Sequence, residues 1–597
     1  MIKLMKMLPK RIKWIFALGA LLVFLGVLVS LTIPNFISQF IKLLFSDAPI
    51  VDHIEVLKNW HIFNNMPKVD VQNKLIIIIA LQTTLLSLFT FASTFVFVFA
   101  AERSSLFYRK QLFKKLNALS LKNISDLKPE SIMTRISNDV AIFWNFLVGG
   151  LRMMVKGFIM IVGGATIAFS VDWKMALIIL PVIPIMMGVM VAIGKFASPL
   201  IKKTQWQVEK VTKEIDENIK GIRTIKTYNL ENERLEKFRN SNNTWFKLNS
   251  KAATIITSLH PIFFTVNNFI VIGIYMFVRG EYISKTATDN TVVQMNIFIE
   301  YLWMIAFGIL LITMFLRFAF RAKISAVRIR EVLIAKEDKL VVENGIRINN
   351  NEEQNLDITI ENLNFKYYKD NPNYSLSDIN LHIPYKSSLG IIGLFASGKS
   401  TLVSLLLNNY VYDEGSIKIG NHEVNQINTK DLLNTVGIVY QDAMLFSGTI
   451  RSNMQWAKPD ATDEEINTAL KNACAYDFVY KFGDNLDHKI TQGATNISGG
   501  QKQRLSIARS LLRKPKILIL DDSTSALDNI TTKQVIENIT KNYKCTTILI
   551  SQKIGALKNC ENIIVMDSGK IIAKGKHEQL VESSPFYAQI HKSQLEL

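Results

Sequence analysis

Residues 388–409 read SLGIIGLFASGKSTLVSLLLNN. The apolar stretch SLGII runs into GLFASGKST (393–401), and a helical pattern, TLVSLLLNN, follows. Gly393, Gly398, Lys399 and Ser400 satisfy the spacing G-x-x-x-x-G-K-[ST], placed between a strand and a helix as a phosphate cradle requires. In such a loop the backbone N–H groups around Ala396, Ser397, Gly398 and Thr401 and the helix N-terminus face phosphate oxygens. Lys399 then reaches the terminal phosphates, and the Ser400 hydroxyl is a ligand for Mg²⁺. Ala396 occupies a position that tolerates glycine, so the loop is expected to be slightly stiffer than a glycine version.

Downstream, NISGGQKQRLSIARSLL (496–512) sets two glycines and a glutamine ahead of a basic amphipathic helix, which alone reads as a turn and a cap. The stretch ILILDDSTSALD (517–528) follows. An apolar strand delivering Asp521 beside a phosphate loop is the usual way to hold the magnesium of a nucleotide. Buried strands rarely end in two like charges, so Asp522 also needs a purpose. The three motifs in this order are far more specific than any one of them.

At 597 residues the chain has room for two or more domains, and its 49% hydrophobic content is unevenly spread. Six apolar runs, about 14–44, 74–101, 146–171, 174–199, 254–279 and 291–318, are long enough to cross a ~30 Å hydrocarbon core. Residues 1–325 therefore read as a membrane domain, 326–354 as a charged linker and 355–597 as a soluble α/β domain. The net charge of +19 does not point to nucleic acid, because the lysines and arginines crowd alternate loops. Loops 103–135, 195–251 and 317–330 are basic, while 45–73, 172–174 and 279–290 are not, which places both chain ends and the soluble domain on the cytoplasmic side of a cell membrane. The basic N-terminus leads into an apolar run too long for a cleavable signal, with no small-residue cleavage site after it, so an uncleaved first span is expected. Heavy use of Ile, Lys and Asn suggests a bacterial source.

Segments 102–145 and 200–253 read as helices that carry the spans into the cytosol, each broken by a short transverse helix, expected around 126–139 and 227–238. Cys474, Cys545 and Cys560 match neither a metal knuckle nor a redox pair, and reduced structural thiols are expected.

Taken together, the chain resembles a half-transporter of the ATP-binding cassette superfamily, exporter type, over nearly its whole length. GLFASGKS resembles the Walker A loop, ISGGQ the family signature, ILILD the Walker B strand and SALD (525–528) the D-loop. Gln441 in IVYQDAMLFSGTI is similar to the Q-loop residue, and Tyr367 in FKYY to the aromatic that stacks on adenine. The resemblance implies a membrane all-α domain of six transmembrane helices with long cytosolic extensions, followed by an α/β P-loop nucleotide-binding domain. It implies ATP and Mg²⁺ as cofactors, with Ser400, Gln441 and Asp521 at the metal. It also implies that Ser498, Gly499, Gly500 and Gln501 serve a nucleotide held by a second half-transporter. The breaks in the cytosolic helices would be coupling helices.

Two residues depart from the family pattern. The residue after the Walker B aspartate is usually glutamate and here is Asp522. The switch position after TTILI, usually histidine, is Gln552, and TQGATN (491–496) replaces the acidic stretch before the signature. Both departures weaken one catalytic centre while the signature stays nearly intact. That asymmetry resembles the degenerate subunit of a heterodimeric exporter, although a homodimer remains open.

The sequence says less about what crosses the membrane. Glu300 in the sixth span is either a cation-attracting residue or a satisfied polar group near the outer interface. Arg152 and Lys156, one turn apart at the inner end of the third span, either snorkel to the interface or face an anionic or lipid headgroup. Phe91, Phe95, Met304 and Phe307 read as packing, and Asn267 and Asn268 as cavity-lining or interhelical groups. Hydrophobic or amphipathic substrates (drugs, lipids or peptides) are expected. The alternative is an ATP-binding regulatory subunit with little hydrolysis of its own. An importer fits poorly, because importers usually have separate membrane subunits.

Overall fold

The computed structural model describes residues 1–45, 48–51, 53–57, 60–285, 291–335, 340–348 and 355–595. Parts of the loops 45–73 and 279–290 and of the linker expected at 326–354 lie outside these residues. The chain divides into two compact units, one of residues 1–117 and 129–334, the other of residues 118–128 and 335–597.

In the first unit six helices are long and apolar enough to cross a membrane: Lys10–Phe45, Lys68–Ala118, Ser131–Val171, Trp173–Lys220, Glu231–Ile283 and Thr291–Ile334. The 51-residue second helix is about 76 Å long at ~1.5 Å per residue, so it runs far beyond the hydrocarbon thickness. The sixth helix is the centre of the bundle: half of its most apolar stretch is buried, against 6% in the second. It meets the third through glycines, where a Cβ on Gly157 would lie 2.7 Å from the Gly308 carbonyl. Small residues let two backbones approach this closely, which supplies packing where lipid offers no hydrophobic drive. The Tyr301 hydroxyl also donates to the Leu31 carbonyl of the first helix at 2.7 Å. The tight turn at 172–174 forms because the Asp172 carboxylate accepts from the N–H groups of Lys174 and Met175, capping the fourth span.

Three expectations need correction. The first transverse helix is Leu121–Leu127, not 126–139. Residues 129–139 instead open the third long helix and are tied to the sixth. The second is Ile222–Thr227, bounded by Gly221 and by Tyr228–Leu230, whereas 231–238 starts the next long helix. The sixth helix runs to Ile334, so residues 326–334, expected as linker, are helical.

The second unit is built on a six-stranded sheet. Its strands in this account are β1 (Ile358–Phe365), β2 (Leu376–Ile383), β3 (Ser388–Gly393), β4 (Glu414–Ile419), β5 (His422–Glu423), β6 (Val436–Val439), β7 (Ile517–Asp521), β8 (Thr546–Ile550), β9 (Asn562–Asp567) and β10 (Lys570–Gly575). The large sheet has the order β6-β7-β8-β3-β9-β10, parallel up to β9 and closed by an antiparallel β10. A smaller antiparallel sheet has the order β2-β1-β4-β5. β7 is buried on both faces, which is why ILIL is an unbroken apolar run. Leu518 and Leu520 pack with Ile466, Leu470 and Leu511 on one face; Ile517 and Ile519 pack with Leu402 and Leu405 on the other. Truncating any of these to alanine would cost about 2–5 kcal/mol. Cys474, Cys545 and Cys560 are free thiols, and burial pushes Cys560 up to about 12.

Candidate functional site

The register of the parallel strands decides where the chemistry gathers. Val439 pairs with Leu520, Asp521 with Ile550, Ile550 with Ile391, and Met566 with Gly393. The loops leaving β6, β7, β8 and β3 therefore emerge together at the carboxyl ends, where open α/β sheets bind ligands. Asp522 is the first residue beyond β7, Gln441 and Gln552 are the second beyond β6 and β8, and the 393–401 loop continues from the last residue of β3. They enclose a cavity of about 820 Å³, lined by Tyr367, Ala396, Ser397, Gly398, Lys399, Ser400, Thr401, Gln441, Asp521, Asp522 and Gln552. That volume suits a nucleotide-sized ligand.

The glycines of the loop are fixed by contact and conformation. A Cβ at Gly393 would sit 2.2 Å from the Met566 carbonyl, and Gly398 has φ +100°. Ala396 has φ 61°, so the position suspected of glycine tolerance does hold a left-handed backbone that alanine adopts at a cost. Lys399 Nζ donates to the carbonyls of Gly393 (2.9 Å) and Leu394 (2.7 Å) and to Ser397 Oγ (3.1 Å), closing the loop on itself. Burial pushes the Lys399 ammonium below its usual range, and the carboxylates of Asp521 and Asp522 pull the other way.

Ser400 Oγ donates to Asp521 Oδ1 at 3.4 Å, and Gln441 Nε2 donates to Asp522 Oδ2 at 3.2 Å. Burial raises the pKa of Asp521; burial, then the charge of Asp521, raises that of Asp522. Two crowded, desolvated carboxylates with a hydroxyl and an amide form an all-oxygen donor set once Gln441 turns its carbonyl inward, and such a set suits a hard divalent cation. The residues present thus fit Mg²⁺.

Asp522 is also in a left-handed conformation, φ 47°, with its N–H on the Ile550 carbonyl at 2.9 Å. Its own carbonyl accepts from Ser525 Oγ at 2.9 Å. Aspartate tolerates this conformation better than most residues, a local reason for the shorter side chain here. Gln552 presents its backbone carbonyl to Gln594 Nε2 at 2.6 Å, while Ile554 N–H donates to Gln594 Oε1 at 2.9 Å. Sequence reading missed Gln594, because a glutamine on a polar C-terminal helix carries no signal. It also missed Asn371, Tyr374 and Ser568–Lys570 at the cavity rim, for which the turn-like NPNY was the available cue. Tyr367 lines the cavity with its hydroxyl 3.0 Å from Thr401 Oγ1 and its ring edge-on to Tyr410.

The signature residues do not join this cavity. Ser498 and Gln501 cap the helix Gly499–Leu511 reciprocally, Gln501 N–H to Ser498 Oγ at 3.3 Å and Ser498 N–H to Gln501 Oε1 at 2.9 Å. A Cβ placed on Gly499 would meet no other described part of the chain within 4 Å, whereas one on Gly500 would lie 3.1 Å from the Ala526 carbonyl, so the Gly499 side of this helix start is open.

Comparisons with known proteins agree with this architecture. The family described as ABC transporter transmembrane region matches residues 16–310, and the family described as ABC transporter matches residues 376–525. The chain is 31% identical over 489 residues to an uncharacterized ABC transporter ATP-binding protein of Bacillus subtilis, covering 81% of this chain and 83% of that one. It is 30% identical over 530 residues to an export ATP-binding/permease protein of Rickettsia typhi, covering 88% and 90%. In fold it matches the structure of a bacterial Atm1-family ABC exporter with ATP bound, with a TM-score of 0.76, 21% identity and coverage of 97% and 98%. The chain belongs to the ATP-binding cassette transporter family and has the build of an exporter half-transporter, a multi-pass membrane protein carrying one nucleotide-binding domain.

Proposed function

We infer that this half-transporter exports hydrophobic or amphipathic substrates, such as drugs, lipids or peptides, by alternating access. It pairs with a different half-transporter that carries the stronger catalytic site. The observation that supports this most is an otherwise complete phosphate cavity whose catalytic positions hold Asp522 and Gln552. The signature Ser498–Gly499–Gly500–Gln501 is outside the cavity, consistent with service to a partner's nucleotide.

In the chain's own site, the loop 393–401 cradles the ATP phosphates, Lys399 binds the terminal ones, and Tyr367 stacks on the adenine. Magnesium would be held by Ser400, Asp521 and Gln441 and would neutralise charge on the β- and γ-phosphates. Asp522 takes the role of orienting the attacking water and accepting its proton. Its carboxylate is one methylene short of glutamate, and a misplacement of about 1 Å can cost ~10²-fold in rate. Gln552 hydrogen-bonds the γ-phosphate but supplies no positive charge. The site is built to bind ATP well and to cleave it slowly.

The test is ATP turnover by the purified chain alone and together with a co-expressed second half-transporter. Little turnover alone, and turnover in the pair that survives Asp522→Ala, is the expected result. Ordinary transporter rates from the chain alone would remove the heterodimer. The same two residues favour a second reading, a regulatory subunit that gates its partner without hydrolysis of its own. A second half-transporter that transports by itself, and that this chain only speeds or slows, would select it.

A further inference from the structure

A cavity of about 280 Å³ lies within the membrane unit, among the first, second, third and sixth spans. Three ionisable side chains line it: Arg152 and Lys156 from the third span and Glu300 from the sixth. The Arg152 guanidinium is anchored on the Thr94 hydroxyl of the second span. Lys156 and Glu300, in contrast, form no hydrogen bond or ion pair with another described residue, although both face this space.

Lys156 and Glu300 lie well along their spans from the outer ends. The third span ends outward at Val171, which puts Lys156 about 22 Å below that end at ~1.5 Å per residue. Glu300 lies about 14 Å below the start of the sixth helix at Thr291 by the same rise. Both are inside a hydrocarbon layer of ~30 Å, where ionisable groups face cavities and mark ligand pathways. The remaining lining is part apolar (Val27, Phe89, Met160, Met304) and part hydroxyl (Ser30, Thr90, Ser93).

Glu300 alone would favour a simple cation, but two cations on the same cavity reverse that preference. We propose that this cavity binds a zwitterionic headgroup: a phosphate or carboxylate meets Arg152 and Lys156, and a neighbouring ammonium meets Glu300. Pockets for whole drug-sized ligands span ~300–1,000 Å³, so this one takes a headgroup and leaves any apolar tail outside it. The proposal rests on the exporter reading for its meaning, since a zwitterionic amphiphile belongs to the substrate class named there. Binding is measured first, and transport separates the two readings.

The full-length chain in detergent would be titrated calorimetrically with dihexanoylphosphatidylethanolamine, dihexanoylphosphatidylglycerol and O-phosphoethanolamine. Binding of the ethanolamine lipid about tenfold tighter than the glycerol lipid is expected. Lys156→Gln should weaken both about tenfold, while Lys156→Arg, which keeps the charge, should retain them. Glu300→Gln should remove only the preference between the two lipids. O-phosphoethanolamine binding as tightly as the lipid would assign a soluble zwitterion, and binding of the lipid alone an amphiphile; either supports the site. Absence of saturable binding, or identical isotherms for the native chain, Lys156→Gln and Glu300→Gln, would overturn it. Lost binding with ATP-driven transport intact would count against this site alone, whereas binding without transport would count against the exporter reading.

Discussion

Tyr368 donates its phenol hydrogen to Asp126 Oδ1 at 2.7 Å, joining positions 242 residues apart in sequence. Asp126 belongs to the short helix Leu121–Leu127, which the chain places between the second and third spans yet which packs with the soluble unit. Lys122 of the same helix lies over the Tyr368 ring, 5.5 Å from its centroid. The hydrogen bond to Asp126 pushes the phenol pKa up, so the donor keeps its proton at neutral pH. Tyr367, the residue beside it, lines the nucleotide cavity. The short helix thus touches the residue next to one that lines the cavity. Tyr368→Phe should leave ATP affinity within about twofold and lower substrate moved per ATP several-fold, since an exposed hydrogen bond adds only about 0.5–1.5 kcal/mol to folding. Parallel transport and ATPase assays on reconstituted vesicles check this.

Asp522→Glu should raise ATP turnover about tenfold or more by restoring the missing reach, up to the ~10²-fold that a misplacement of about 1 Å can cost. The gain comes with a small loss of stability. Asp522 holds φ 47°, a conformation in which aspartate is enriched and glutamate is not. A melt lowered by the equivalent of about 1 kcal/mol should accompany the faster enzyme. Single-turnover kinetics and a thermal melt on the same preparation separate the two effects.

Much of this was legible in the sequence, and the failures have identifiable causes. β7 could be read from ILIL because burial on both faces permits no polar residue, and the phosphate loop because few residues fit Gly393 and Gly398. The transverse helices were misplaced because the conspicuous signals mark helix starts. Pro129 opens the third long helix, where its missing N–H costs nothing, and Glu231 and Glu233 lie in a first turn that favours acids. The transverse helices start at quieter signals, the Ser120 cap and Gly221, and end at single positive-φ residues, Lys128 (φ 59°) and Asn229 (φ 54°), which leave little mark in a sequence. Likewise, nothing along the chain relates Arg152 and Lys156 to Glu300; only packing of the third span on the sixth brings them to one cavity. Asn267, expected to line a cavity or reach a neighbouring helix, instead donates to the Phe263 carbonyl of its own helix at 2.8 Å.

The stretch expected to be a transverse helix holds a polar clasp instead. Buried Arg135 donates to the Arg328 carbonyl at 3.1 Å and pairs with Glu331 at 2.9 Å. Buried Asp139 accepts from Ser325 Oγ at 2.8 Å and pairs with Arg328 at 3.3 Å. Asp139→Ala strands the buried Ser325 hydroxyl, whereas Arg328, partly exposed, keeps Ser131 and Thr134; leaving a buried donor unpaired costs about 1–3 kcal/mol. Glu331→Ala should cost less than about 1 kcal/mol, because that carboxylate is more than half exposed and an exposed pair adds little. Thermal melts of the two variants should rank in that order.

Gln594 spans the backbone on either side of Lys553, accepting from the Ile554 N–H and donating to the Gln552 carbonyl. Its amide therefore sets where the Gln552 side chain enters the nucleotide cavity, although Gln594 itself does not line that cavity. Gln594→Met keeps the length and removes both hydrogen bonds, worth about 0.5–1.5 kcal/mol each when buried and less at this exposed helix end. In the Asp522→Glu background, where turnover is large enough to resolve, this change should lower kcat about three- to tenfold with little change in KM for ATP. Replacing Gln552 itself by alanine should then make the second change nearly silent, because the positioned group is gone and the two losses no longer add. Additive losses in the double variant would mean that Gln594 acts on the site by another route.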